Sequence, residues 1–383
     1  MRSRSLVVLA VVTVVVIAAA GYALKRQNAL ENAPPPGPTP LFPTLLQHVN
    51  DVAQITVATA KDHLTIRRTT PGHWVVVEKD GYPASIDKVK KAVVGLAETQ
   101  RIEPRTADPK LYKDIGVSAL DAPGSQAVQI TLTDEKGKPL AALLVGNTKS
   151  FSTGIKPGTF YVREPTAKRS WLARGRLGNI KPDLLMWIAS TILNIPQDRI
   201  KEVEIAAPDA KPILIRRKSP LATDIEVSGL PAAAKPDLAV ANQVPTALQY
   251  LSIEDVAKPQ GWGFAKAPVT TFRTFDGLVV KARTVKHDGK DWVKFAVSYA
   301  GPAPAAAPAA KPEGKAKAAT VAKTAPVAAS PLKTPAEAQT EAKGLASALD
   351  GWAFEVAGYH AAFFTETAAD LTARPGKKAK PRS

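Results

Sequence analysis

Two stretches of this 383-residue chain spell out the same run of strands and turns, and that duplication limits the fold more than any other feature. QITVATAKDHLTIRRTTPGHWVVVE, from Gln54, has three alternating apolar runs broken by turn residues. RIKEVEIAAPDAKPILIRRKSPLATDIEVSG, from Arg199, repeats the order and includes a second Ile-Arg-Arg. Ile55 corresponds to Val203, Ile66 to Ile215 and Pro83 to Pro231, at offsets of 148 or 149 residues. After each proline the apolar residues recur at helical spacing: Ile86, Val89, Val93 and Leu96 in one copy, Leu238, Val244, Leu248 and Leu251 in the other. Each predicted helix runs into a short strand, at Ile102-Glu103 and at Ile253-Glu254.

The back half of each copy is again β. VQITLTDEKGKPLAALLVG reads as a hairpin turning near Glu135–Lys138, and VTTFRTFDGLVVKARTV as one turning at Asp276-Gly277. TFYVRE (159–164) and WVKFAVSY (292–299) are the third strands. SWLARG in the first copy has its counterpart in WAFEVA (352–357), displaced by an insertion. Each unit therefore reads strand–strand–strand–helix–several strands, an antiparallel sheet with one helix packed on one face. The expected class is α+β, with two tandem repeats behind an N-terminal transmembrane helix.

That helix is the uncharged run Leu6–Leu24, bracketed by Arg2/Arg4 and Lys25/Arg26. At 1.5 Å per residue it spans about 28 Å, close to the hydrocarbon thickness of a bilayer. Ala18-Ala19-Ala20 and Gly21-Tyr22-Ala23 would suit a signal peptidase, but the run exceeds an ordinary signal core and ends in a basic stop. The preferred reading is an uncleaved anchor, single-pass in a bacterial inner membrane, with the bulk of the chain in the periplasm. The expected organisation is anchor 1–26, Pro-rich spacer 27–49, first repeat 50–180, connector 181–198, second repeat 199–300, disordered Ala/Pro/Lys-rich insertion 301–343, end of the second repeat 344–371, and basic tail 372–383.

The formal net charge of +17 follows this division. Residues 1–30 carry +4, residues 301–343 +3 and residues 372–383 +5, which leaves +5 for everything else. A nucleic-acid domain gathers cations on one folded face, so this distribution argues against a nucleic-acid partner. The absence of cysteine removes disulfides and thiolate chemistry together.

The Ile-Arg-Arg…Trp-Val-Val run, Pro83-Ala84 before an amphipathic helix, Tyr112…Gly116…Pro123, LLVGNT…FYVRE and the closing GWAFEVAGYHAAFF…DL together resemble the bacterial family catalogued as domain of unknown function 4340. The likeness covers roughly residues 50–300 and 345–371. It implies an envelope protein linked with gliding-type ABC-transporter components, and it brings no enzymatic or binding residues with it.

Candidate chemistry is sparse. Of His48, His63, His73, His287 and His360, the pair His63/His73 could meet across a hairpin, but two histidines are an incomplete zinc site. His48 near Asp51 suggests a base with its orienter, yet Ser5, Ser85 and Ser118 lack a nucleophile elbow. Glu202/Glu204 and Glu254/Asp255 read as solvated strand carboxylates. Gly261-Trp262-Gly263 has neither the helix nor the lysine of a phosphate loop. Arg67/Arg68 and Arg216/Arg217 suit acidic headgroups or a partner's carboxylates, and more readily suit blunting of a sheet edge. Trp74, Trp171, Trp187, Trp262, Trp292 and Trp352 fit sheet cores, with Trp187 expected between the repeats. No catalytic, cofactor-binding or metal-ligating residue is assigned. The expectation is a non-enzymatic accessory or scaffold subunit of an ABC-type transport system, held to the membrane by its helix and to membrane-protein partners by its repeats. A lipid- or cell-wall-glycan-binding module is the alternative, and a hydrolase with an unrecognised site the weaker one.

Overall fold

The computed structural model describes residues 37–153, 156–177, 180–208, 210–303 and 332–373. The predicted anchor 1–26 lies outside them, and among the described residues no helix is long and apolar enough to cross a membrane. Contacts divide the chain into two units. One takes the described residues through Arg68 together with Ile86–Pro182; the other takes Thr69–Ser85 together with the residues from Asp183 onward.

The first repeat begins with β1 (Thr39–Pro40), β2 (Gln54–Ala58), β3 (His63–Thr70), β4 (His73–Val76) and β5 (Tyr82–Pro83), then helix α1 (Ile86–Ala97). It continues through β6 (Gln100–Pro104), β7 (Val128–Thr133), β8 (Pro139–Ser150), β9 (Gly158–Arg163) and β10 (Ser170–Gly175). In the first unit the antiparallel order is β1-β6-β10-β9-β8-β7-β2-β3. Alternation decides what is buried: Ile55, Val57, Leu64, Ile66, Ile130 and Leu132 are all inside. Helix α1 buries Val89, Val93 and Leu96, as its spacing predicts, each contributing about 1.5–3 kcal/mol.

The second repeat supplies β11 (Thr191–Leu193), β12 (Ile200–Ala206), β13 (Ile213–Arg217), β14 (Ile225–Ser228), the short helix α2 (Leu238–Ala241) and β15 (Leu251–Ala257). After these come β16 (Val269–Thr274), β17 (Leu278–His287), β18 (Lys290–Tyr299), helix α3 (Pro335–Leu349), β19 (Ala353–Val356) and helix α4 (Gly358–Phe363). Its order is β11-β15-β19-β18-β17-β16-β12-β13-β14. From β1/β11 to β3/β13 the two orders match strand for strand, so the chain is a duplicated antiparallel sheet. SWLARG and WAFEVA occupy equivalent places as β10 and β19.

The duplication reaches individual side chains. Gln54 lies opposite Arg67 and Glu202 opposite Arg216, and in each pair the arginine Nε donates to its partner, at 3.1 Å and 2.6 Å. Arg68 and Arg217 each donate to a backbone carbonyl before the repeat's first long strand, Asn50 and Gln197. These arginines staple the sheet from within. The expectation that they blunt an edge is corrected for Arg216/Arg217, because β13 lies between β12 and β14.

Five expectations change. Part of the spacer 27–49 is folded: β1 pairs with β6, and Leu41 and Leu45 are buried. The connector 181–198 likewise holds β11, which pairs with β15. The second helix is not one helix: α2 stops at Ala241, Pro245 sits in a following 3-10 turn, and Leu251 already belongs to β15. The insertion 301–343 and the tail 372–383 are both too wide. Helix α3 starts at Pro335 behind a capping box of Thr334 and Glu337, and Thr372 bridges to Pro236. Alanines look too weak to order a segment, but Ala338, Ala342 and Leu349 of α3 are buried, and Glu341 pairs with buried Arg199.

The arm Thr69–Ser85, first-repeat sequence, packs within the second unit. Tyr82 meets the edges of Trp352 and Phe354, and burial pushes its phenol up to about 12. Lys79 reaches Asp255 at 2.8 Å, and Ser85 N–H donates to the carbonyl of buried Trp187.

Candidate functional site

The sheet pleat of the second repeat puts His287, Val285, Arg283 and Lys281 of β17 on one face. Opposite them across the hairpin stand Lys290, Trp292, Lys294 and Ala296 of β18. Most charges in this sheet are matched. Arg216, Glu202, Arg273 and Glu204 form a ladder with contacts of 2.6–3.5 Å, and Lys290 reaches Glu355 at 2.7 Å, which raises its ammonium pKa. Lys281, Arg283 and Lys294 differ. Among the described residues none of the three has a carboxylate within ion-pair distance, although Arg283 lies directly opposite Lys294. A like-charge pair in that position disfavours the sheet by about 0.2–1 kcal/mol.

The three cations line a concavity of about 520 Å³ with Phe264, Ala265, Phe295 and Ala296. Phe264 and Ala265 come from residues 258–268, the connection from β15 to β16. Gly261 and Gly263 both adopt left-handed backbone, φ +76° and +79°, where a side chain would be strained. The turn they make lays Trp262 on His287, rings 4.1 Å apart and 18° from parallel, with Trp292 edge-on at 4.9 Å. Phe264 packs beside Trp292 and Val285. Trp262 stays half-exposed, and the buried Trp292 Nε1–H has no acceptor among the described residues. Three cations beside Phe264 suit an anionic group, with no carboxylate or nucleophile among the residues that line the concavity.

The same face of the first repeat is closed. By register, Ala142, Leu144 and Arg163 stand where Lys281, Arg283 and Lys294 stand, with Leu144 opposite Arg163. Arg163 is buried. It donates from Nε to Val117 O and from Nη1 to Pro165 O and Ala167 O, each at 3.0 Å, and lies 4.4 Å from the Tyr112 ring centre. Val117 and Tyr112 belong to residues 105–127, the connection from β6 to β7, more than twice as long as 258–268.

The residues singled out from sequence mostly scatter. His48 and Asp51 do meet, Nδ1 to Oδ2 at 2.7 Å, but both are exposed. His73 Nδ1 is held by Thr70 Oγ1 and Pro71 O, and neither His63 nor His73 joins a group of three metal-binding side chains among the described residues. Ser85 and Ser118 stand in no catalytic arrangement, and Ser5 lies outside the described residues. Burial lowers the His360 pKa, outweighing its backbone hydrogen bond with Ala247. Trp74 and Trp292 are buried, as expected of sheet-core residues, and Trp187 is buried at the end of the 3-10 turn Leu184–Met186. Lys281, Arg283 and Lys294 were not singled out; aligning the hairpin about Asp288-Gly289 would have set two of them opposite each other.

Over residues 74–267 the sequence matches the family described as "Domain of unknown function (DUF4340)". No curated protein matches the chain. The family match runs from β4 through the loop bearing Trp262 and Phe264 and stops before the strands that carry the three cations. Spanning half of the sequence, it establishes that the chain belongs to the DUF4340 family.

Proposed function

We propose that the chain is a non-enzymatic envelope subunit that works by docking. Leu6–Leu24 tethers it to the bacterial inner membrane, the two repeats stand in the periplasm, and membrane-protein partners, ABC-type transport subunits among them, are held by the folded part. The observation that carries this reading is the contrast between matched and unmatched charge. On the same face Arg216, Arg273 and Lys290 pair with carboxylates of the chain itself, whereas Lys281, Arg283 and Lys294 are left for something outside it. The lipid- or glycan-binding alternative draws on the half-exposed Trp262, stacked on His287 of the strand that carries Lys281 and Arg283.

Gentle detergent extraction of the tagged full chain from its native membrane, followed by mass spectrometry of co-purifying proteins, tests the proposal. Recovery of ABC-type membrane subunits in fixed proportion is the expected result. Recovery of the chain alone, at detergent concentrations that keep other inner-membrane complexes intact, rejects it.

A further inference from the structure

We propose that the open face of the second repeat docks an acidic peptide segment of a partner protein, bound between Lys281, Arg283 and Lys294 and the ring of Phe264. This inference rests on the docking reading above and names the chemistry of the docked group. The internal duplication supplies the argument. In the first repeat this face is filled by peptide: residues 105–127 bring the Val117 carbonyl to Arg163 and lay Tyr112 against its guanidinium. In the second repeat the homologous connection, 258–268, is less than half as long, and it contributes Phe264 to one side of the concavity. The scaffold that accepts a peptide in one copy lacks its own peptide in the other.

Charge then specifies the occupant. The first repeat offers one cation at this place and satisfies it with neutral carbonyls and a ring. The second offers three cations, two directly opposed across the hairpin, with no carboxylate of the described chain beside them. Neutral carbonyls would leave that repulsion in place, whereas Asp or Glu side chains remove it. An aromatic residue in the segment would find the Arg283 guanidinium, as Tyr112 finds that of Arg163. A flat anionic membrane suits the site less. The cations sit in a concavity, and the neighbouring strands on the same face carry Glu202 and Glu204, paired with Arg216 and Arg273.

The test uses the full-length chain in detergent and four probes: a labelled blocked Asp-Glu-Tyr-Glu-Asp peptide, its Asn-Gln-Tyr-Gln-Asn counterpart, inorganic phosphate, and phosphatidylglycerol vesicles. The acidic peptide is expected to bind, with affinity falling as salt rises, and the neutral peptide to bind at least about tenfold more weakly. The triple variant Lys281→Gln, Arg283→Gln, Lys294→Gln should weaken acidic-peptide binding by about tenfold or more, without lowering the thermal midpoint, because it removes a repulsion. Lys286→Gln, on the other face of β17, serves as the control and should leave binding unchanged. Peptide binding that survives the triple variant overturns the proposal. So does phosphate or vesicle binding that the triple variant abolishes while the peptide fails to bind. If transport subunits co-purify equally well with the triple variant, docking stands but this face is not where it happens. If they never co-purify with the unaltered chain, the functional reading itself falls.

Discussion

The β8–β9 face of the first repeat and the β17–β18 face of the second share strand order and register, yet one is closed and the other open. In the first, residues 105–127 cover the sheet, and a single buried arginine satisfies three carbonyls and stacks on Tyr112. In the second, residues 258–268 cover less, and three cations stand on the exposed side. Loop length and the residues at three equivalent positions separate a buried structural arginine from an open cationic face on the same scaffold. A buried cation must be fully hydrogen-bonded, whereas a half-exposed one can remain without a protein partner because water solvates it.

The largest effect expected from probing the asymmetry between the repeats lies where only the second has an added helix. Arg199 occupies the position of Asp51, and it reaches Asp276 at 2.9 Å and Glu341 of α3 at 2.8 Å, with both Arg199 and Asp276 almost wholly buried. Arg199→Ala leaves Asp276 charged and unpaired, and should cost about 3–5 kcal/mol in the urea transition of the second unit. A loss below about 1 kcal/mol would mean that α3 is not pinned there.

Next comes the direct contrast between equivalent positions. Arg163→Ala strips three carbonyls of their donor and should destabilise the first unit by about 3 kcal/mol, while Lys294→Ala should change the second by no more than about 0.5 kcal/mol. Equal losses at the two positions would break the comparison, since they would show Lys294 to be structural as well.

Acid sharpens the contrast further. Burial by itself would raise the Glu341 carboxyl, but hydrogen bonds from Arg199 and Lys333, with their charges, outweigh it and hold the group below its ordinary 4.5. A carboxyl depressed by folding binds fewer protons in the folded chain than in the unfolded one. Its stabilisation is therefore complete above 4.5 and disappears as pH falls through the lower folded value. Denaturant midpoints measured across that range should fall for the second unit, and Glu341→Gln should flatten the fall. An unchanged slope in the variant would assign the acid response to other carboxylates. The smallest effect is a gain: Lys294→Glu places a carboxylate opposite Arg283 and should stabilise the second unit by about 0.5 kcal/mol, while removing one docking cation.

Much of the scaffold is legible in the amino-acid sequence. The twin Ile-Arg-Arg strands, the Asp276-Gly277 turn and the α1 spacing are local signals, and all three appear where their periodicity put them. The breaks came where sequence carries no local signal. The pairs β1–β6 and β11–β15 join short strands to partners about 60 residues away, so no nearby alternation announces them. Helix α3 is Ala-rich and unremarkable in isolation, and it is ordered by an ion pair between residues 142 apart in sequence. The candidate site was invisible for the same reason: Lys281, Arg283 and Lys294 are ordinary strand cations until the register sets them side by side.

By itself, then, the sequence determined that this protein is a duplication, because strand alternation, turn residues and helical spacing depend on neighbours a few positions away and recur with the repeat. Only the tertiary structure decided which copy of the shared face stays open. That outcome depends on how far a connecting loop reaches over a sheet and on whether distant residues bring a carbonyl or a carboxylate to a cation. Both are long-range geometric facts that no local pattern encodes.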